Sequence, residues 1–275
     1  MTARKKTSPL LTMSFARYRA IDAINASSLK SLGTSPLQYQ WDQAHDRDTP
    51  SMLLGRATHT AVLEPVQYQR EYVVYPGRRS GKAWDEFKAA TAGQCILSES
   101  EHAKAWTLSD AVRKHRIAGP LLLQGVAERV LVWTDPVTGL RMKARFDWYD
   151  EASATLTDLK TAMDVSPYGF GKAAHKFGYP LQFGFYADAI LANGLPLEHV
   201  KCIAVQNSGP PDVAVYRVGD DVLDLGRATY RDRLETLMGC RETNTWPGVC
   251  PCEMELELPP WAWPSDDLTY GGEAV

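Results

Sequence analysis

Asp158 and Lys160 stand two residues apart in an alternating stretch, 154–161, so as strand residues their side chains leave the same face. Asp147 lies eleven residues before Asp158, in an earlier alternating run, and a short antiparallel connection sets the two aspartates side by side. Two carboxylates and an ammonium would then share one small site. Paired carboxylates attract a hard divalent cation such as Mg²⁺. The cation can generate hydroxide and stabilise charge on a phosphoryl oxygen, while the lysine orients the attacking water or neutralises developing charge. Asp…Asp-Leu-Lys therefore reads as a core for phosphodiester cleavage. The same Asp-x-Lys spacing also suits a surface ion pair of little energetic weight.

Two further pairs have helical spacing. Gly55 and His59 are four apart on a face shared with Met52 and Val62, so His59 points inward as a metal ligand or as a satisfied core histidine. Gln182 and Tyr186 are four apart on an otherwise apolar helix, where both polar tips need partners. Basic residues fall in two places. Arg78, Arg79 and Lys82 occupy a glycine-containing loop that can clamp phosphates or simply be solvated. Arg141, Lys143 and Arg145 alternate on the Asp147 face and put positive charge beside the acids, which suits DNA contact. Glu64 and Glu128 are auxiliary acids, read first as surface or capping residues.

These residues need a scaffold. Helices are expected over 26–32, 36–48, 51–63, 84–92, 98–115, 179–193 and 220–240, with another capped by Ser166-Pro167, and strands over 72–75, 126–134, 140–149, 154–161, 199–206 and 213–218. Pro65 stops the third helix, and Gly119-Pro120 is a break. Asp135-Pro-Val-Thr-Gly139 makes a tight turn, so 126–161 forms a three-stranded meander. Within it Leu140, Met142, Ala144, Phe146 and Trp148 share one face, and Arg141, Lys143, Arg145, Asp147 and Tyr149 the other. The order gives an α/β (α+β) fold, a central mixed sheet with an antiparallel meander flanked by helices. Residues 1–24 read as a polar arm, 25–264 as one domain and 265–275 as a flexible tail.

Composition narrows the function classes. The chain has 275 residues, 44% hydrophobic and 23% charged, with net charge −3. That excludes a uniformly basic nucleic-acid coat but allows a local basic groove. No run approaches the roughly 18 apolar residues of a membrane helix, and no secretory signal is visible, so the expected setting is the cytoplasm. Five cysteines, an odd number, fit a reducing compartment. Cys240, Cys250 and Cys252 cluster in sequence without a CxxC pair, so an iron–sulfur cluster is not expected. No GxxxxGK[ST] motif is present, which excludes a built-in ATPase motor.

Taken in order, G-x3-H, D, D-L-K and Q-x3-Y resemble the PD-(D/E)XK exonucleases of the RecB and lambda-exonuclease type, and within them the exodeoxyribonuclease VIII (RecE) nuclease domain. GRATHTAVLEP (55–65), the segment 133–162 and FGYPLQFGFYADA (177–189) carry the resemblance. INASSLKSLGTSPLQY (24–39), RRSGKAWDEF (78–87) and WPG (246–248) extend it more weakly. The resemblance implies a restriction-endonuclease-like core and a Mg-dependent deoxyribonuclease, with Mn²⁺ able to substitute. Asp147, Asp158, His59 and the Leu159 carbonyl would hold the metal, Lys160 would be the motif lysine, and Gln182 and Tyr186 would support the site and the DNA strand. It further implies 5′-to-3′ digestion of linear duplex DNA ends, a 3′ single strand handed to an annealing protein in phage-type recombination, and a homo-oligomer, of which a ring is the form typical of the RecE and lambda types. Two departures are Phe146 and Trp148 flanking Asp147, and Asp rather than Glu before Leu-Lys. Two alternatives stay open: a structure-specific or single-strand-trimming nuclease of the same motif order, and a catalytically silent DNA-end-binding protein.

Overall fold

The computed structural model describes residues 8–45, 49–250 and 252–258. Three short helices open it: α1 (Phe15–Ala20), α2 (Ala26–Leu32) and α3 (Pro36–Ala44). Ser14, Asn25 and Ser35 cap their first turns, and Asn25 with Ser28 closes a reciprocal capping box. Thr49 caps α4 (Pro50–Leu63). Pro65 ends α4 but also opens α5 (Pro65–Glu71), because a proline at the first helical position forfeits no hydrogen bond. β1 (Tyr72–Val74) pairs in parallel with β2 (Cys95–Leu97), with α6 (Lys82–Ala90) between them in sequence. A Ser98–Glu101 capping box starts α7 (Glu99–Lys114). Gly119 and Pro120, expected as a break, lie inside the one-turn helix α8 (Ala118–Leu121). A single turn has no preceding carbonyl for the proline to clash with or leave unpaired.

The main sheet has the order β3 (Val126–Thr134), β4 (Arg141–Asp150), β5 (Thr155–Ala162), β6 (His199–Gln206), β7 (Val213–Val218). Every pair is antiparallel except β5–β6. A parallel pair needs a long crossover, and α9 (Pro167–Lys176) and α10 (Tyr179–Ala192) supply it. The last helix is α11 (Asp220–Thr243). The expected α/β architecture, a mixed sheet with an antiparallel meander between helices, is thus present. One sheet face packs on α10 and α11 through Leu131, Phe146, Leu156, Phe183, Phe185 and Leu234. The other packs on α4 and α7 through Val62, Leu108, Val112, Leu159 and Ile203. Helix α10 and α11 approach closely because Gly184 and Gly226 face each other's backbones; a Cβ on Gly184 would lie 2.7 Å from the Arg227 nitrogen. Within the N-terminal arm Leu11 bridges Val130 and Ile24 bridges Met142, which docks the described part of it on the sheet. The expected tail, 265–275, lies outside the described residues. Among the described residues no helix is long and apolar enough to cross a membrane.

The β3–β4 hairpin deviates from regular alternation at one place. Glu128 stands opposite Asp147, the ladder skips this pair, and Glu128 takes a left-handed φ of 51°. Such a conformation costs a non-glycine residue about 1–3 kcal/mol and is held only by its surroundings. Before the kink Met142, Ala144 and Phe146 face the α10 side. Beyond it Trp148 packs with Ala127 and Leu159 on the other face, and Tyr149 enters the core beside Phe146. This corrects the expected faces of Trp148 and Tyr149: one distorted pair shifts the two-residue period and exchanges the faces beyond it.

Candidate active site

β4 and β5 pair only from Trp148↔Thr157 to Asp150↔Thr155. Their ladder stops at the next position, where Asp147 faces Asp158. Beyond that point β5 stays paired with β6, while β4 continues along β3. The strands therefore open into a fork with the two aspartates at its base. Asp147 Oδ2 accepts the Leu159 backbone N–H at 2.7 Å, which anchors the carboxylate in the gap.

On the β4 side of the fork, His59 Nδ1 from α4 comes within 3.5 Å of Asp147 Oδ2. Glu128 completes a group: His59, Glu128 and Asp147 each offer one ligand atom, all within 4.8 Å of one another. Burial, with the Asp147 charge added, pushes Glu128 up to about 8, although the Arg145 guanidinium donates to its Oε2 at 2.6 Å. Two carboxylates held this close repel each other, and a divalent cation between them would relieve the repulsion. One imidazole nitrogen and two carboxylate oxygens form a donor set that suits Mg²⁺ or Mn²⁺.

On the β5 side, Asp158 is 1% exposed. Lys160 Nζ lies 2.5 Å from its Oδ2 in an ion pair without directed hydrogen-bond geometry. Gln182 Nε2, from α10, donates to its Oδ1 at 3.1 Å. Burial raises the Asp158 carboxyl, helped by the Asp147 charge and opposed by Lys160. For Lys160 burial favours loss of the proton, but Asp158 and Asp147 outweigh it and hold the ammonium above the ordinary lysine range. Burial also lifts the Tyr186 phenol well above its ordinary value, next to Gln182. The site thus has two halves: His59, Glu128 and Asp147, a group whose atoms could hold a cation, and a buried Asp158–Lys160 pair steadied by Gln182.

The first half opens into a cleft of about 1350 Å³. Arg19, Arg56, Arg129, Arg141, Arg145 and Arg241 line it together with His59, Glu128 and Asp147. Asp22, Asp42, Glu64 and Glu71 also line it, so the cleft carries charges of both signs, and its arginines are the groups that could meet a polyanion's phosphates.

The other basic residues are placed differently. Lys143 also borders the cleft, but its Nζ is turned inward and donates to the carbonyls of Tyr18 at 3.0 Å, Arg19 at 3.1 Å and Ile21 at 2.7 Å. It closes the C-terminal end of α1 and does not present its charge to a phosphate. Lys143→Met should therefore cost about 2–3 kcal/mol of stability by stranding these carbonyls, while the salt dependence of DNA binding stays unchanged. Urea denaturation and binding titrations at several salt concentrations check both parts; unchanged stability with a shallower salt slope would make Lys143 a phosphate contact. Arg79 donates to the Ile96 carbonyl at 3.1 Å and to Glu101 at 2.6 Å. Lys82 is exposed and 3.8 Å from Glu86. Neither these two nor Arg78 lines the cleft.

Sequence reading names Glu128 as an auxiliary acid but favours a surface or capping role for it, and it misses Lys30. Glu128 could have been placed in the site from the Asp135–Gly139 turn, whose hairpin register sets it opposite Asp147. Lys30 could not: its Nζ donates to Gln182 Oε1 at 2.8 Å only because α2 packs on α10. The cysteines do not form a cluster with acids or histidines among the described residues. Cys240 is buried in α11, and Cys250 and Cys252 bring their sulfurs within 3.1 Å of each other in the tail.

Comparisons with known proteins give a family and a fold. A family described as "PDDEXK-like domain of unknown function (DUF3799)" matches residues 25–256. A solved structure from Eubacterium rectale, provisionally described as an exonuclease, superposes with a TM-score of 0.63 at 14% identity, over 95% of this chain and 99% of its own. A phage-related exonuclease from Haemophilus somnus 129PT reaches a TM-score of 0.34 at 11% identity, over 79% of this chain and 95% of its own. No curated protein matches the chain. The fold is a restriction-endonuclease-like PD-(D/E)XK core.

Proposed function

Because this chain belongs to the PDDEXK-like domain family of unknown function (DUF3799), we propose that it is a metal-dependent deoxyribonuclease acting on the ends of linear duplex DNA. The observation that carries the reading is the fork between β4 and β5, which sets the His59–Glu128–Asp147 group, part of the lining of a cleft with six arginines, next to the buried Asp158–Lys160 pair. A silent DNA-binding protein has no use for a lysine buried against an acid at such a place. When bound, a divalent cation supplies charge neutralisation for a phosphoryl oxygen and acidifies water. His59, Glu128 and Asp147 would hold it. Asp158 fixes the Lys160 ammonium, which keeps its proton and so serves as a fixed positive charge toward the scissile phosphate. The arginines draw the backbone into the cleft.

The direction of digestion, 5′ to 3′, follows from the resemblance of the motif order to the RecE and lambda types. The provisional exonuclease description of the Eubacterium rectale protein agrees with end-directed cutting. A homo-oligomeric ring and a single-strand annealing partner belong to the same reading. A time course on an end-labelled linear duplex with one 5′ end blocked, with and without Mg²⁺ or Mn²⁺, tests it. Nucleotides should leave only from the free 5′ end and only with the metal, and a closed circle should survive. Cleavage of the circle, release from the blocked end or metal-independent cutting would contradict the reading.

A further inference from the structure

We propose that Lys30 is a positioning residue for the reaction centre, fixing the Gln182 side-chain amide so that its N–H₂ end faces Asp158. This rests on the nuclease reading above. A glutamine amide has one accepting end and one donating end, and the two are interchangeable by a half-turn. Lys30 has no acceptor, so only Gln182 Oε1 can meet it, at 2.8 Å. The other end, Nε2, is then committed to Asp158 Oδ1 at 3.1 Å. With the amide reversed, two oxygens would oppose each other at a fully buried carboxylate. The chain Lys30–Gln182–Asp158–Lys160 leaves Asp158 one oxygen for Gln182 and one for Lys160.

Lys30 is held for this task. The Asn25–Ser28 capping box fixes the start of α2, and the Lys30 stem passes Gly178, where a Cβ would lie 3.5 Å from its Cγ. Its Nζ stands 5.4 Å from the centre of the Tyr179 ring, and Lys160 Nζ stands 5.1 Å from the same centre. Both amines thus stand over one aromatic ring, which attracts each of them. Burial and the Lys160 charge draw the Lys30 amine down to about 7. The protonated amine carries donors only and so reads the Gln182 amide one way; a neutral amine would add a lone pair, and the amide orientation would then rest on the Asp158 carboxylate alone.

Lys30→Met retains the stem and removes the donor. We expect kcat to fall on the order of 10-fold with KM for DNA changed less than about 2-fold, because orientation at the centre is lost and the cleft is untouched. The loss should not add to that of Gln182→Ala: the double variant should cut at the Gln182→Ala rate, since both changes release the same contact. A Lys30→Met enzyme with wild-type kcat, or losses that multiply in the double variant, would overturn the inference. Should Lys30→Met not fold, hydrogen exchange of the Gln182 side-chain amide in the wild-type protein decides: slow exchange supports a held amide, and exchange at the free rate overturns it. A wild-type protein without metal-dependent cleavage would instead sink the nuclease reading and take this inference with it.

Discussion

Asp147→Asn should fold normally and cleave DNA slower by on the order of 1000-fold, the effect of losing several kcal/mol of metal-assisted stabilisation. The substitution is chosen for what it keeps. Asparagine retains an oxygen to accept the Leu159 N–H now bound at 2.7 Å, so the base of the fork stays anchored. It loses the charge that stands between His59 and Glu128 in the proposed cation group. Removing that charge also relieves Glu128, which burial and Asp147 together push up to about 8. The metal-free variant should therefore melt no lower than wild type. Single-turnover rates at saturating Mg²⁺, with melting curves on the same samples, check both parts. A rate within 10-fold of wild type would remove Asp147 from the chemistry.

Lys160→Met should destabilise the protein by about 3–5 kcal/mol near pH 8 as well as abolish cleavage, because it leaves Asp158 charged and alone in the interior. The loss should shrink toward pH 5. Without Lys160 the Asp158 carboxyl, already raised by burial, sits further above its unfolded value near 4. Across that interval the folded state binds more protons than the unfolded state, so stability falls as pH rises and recovers as pH falls. Adding Asp158→Asn should restore most of the stability at pH 8 and none of the activity. Denaturation of the single and double variants at both pH values checks this. An equal loss at pH 5 and pH 8 would mean that the burial of Asp158 is not what Lys160 offsets.

Much of this arrangement can be read from local chemistry. The alternation of 126–161 and the Asp135–Gly139 turn give the meander, and through its register Asp147 falls opposite Asp158. Helices with strong caps, such as α7 with its Ser98–Glu101 box, emerge within a residue or two. Readings fail where a tertiary contact decides. Nothing local marks Glu128 as left-handed, and without that kink Trp148 and Tyr149 are assigned to the wrong faces. Lys143 looks like one of three equivalent cations on a strand. Only the docking of α1 shows that three backbone carbonyls hold it. Lys30 reaches Gln182 across 152 residues of sequence, a contact that no spacing rule reports. The parallel β5–β6 pair likewise depends on where the α9–α10 crossover returns the chain.

The cation group can be observed without any assay of activity. Anomalous diffraction from crystals of the wild-type protein soaked in Mn²⁺ should show a peak bounded by His59, Glu128 and Asp147, with Arg145 moved away from the Glu128 oxygen it now holds at 2.6 Å. A peak held by other residues, or a fork that binds no ion while the Glu128–Arg145 pair stays closed, would contradict the proposed centre.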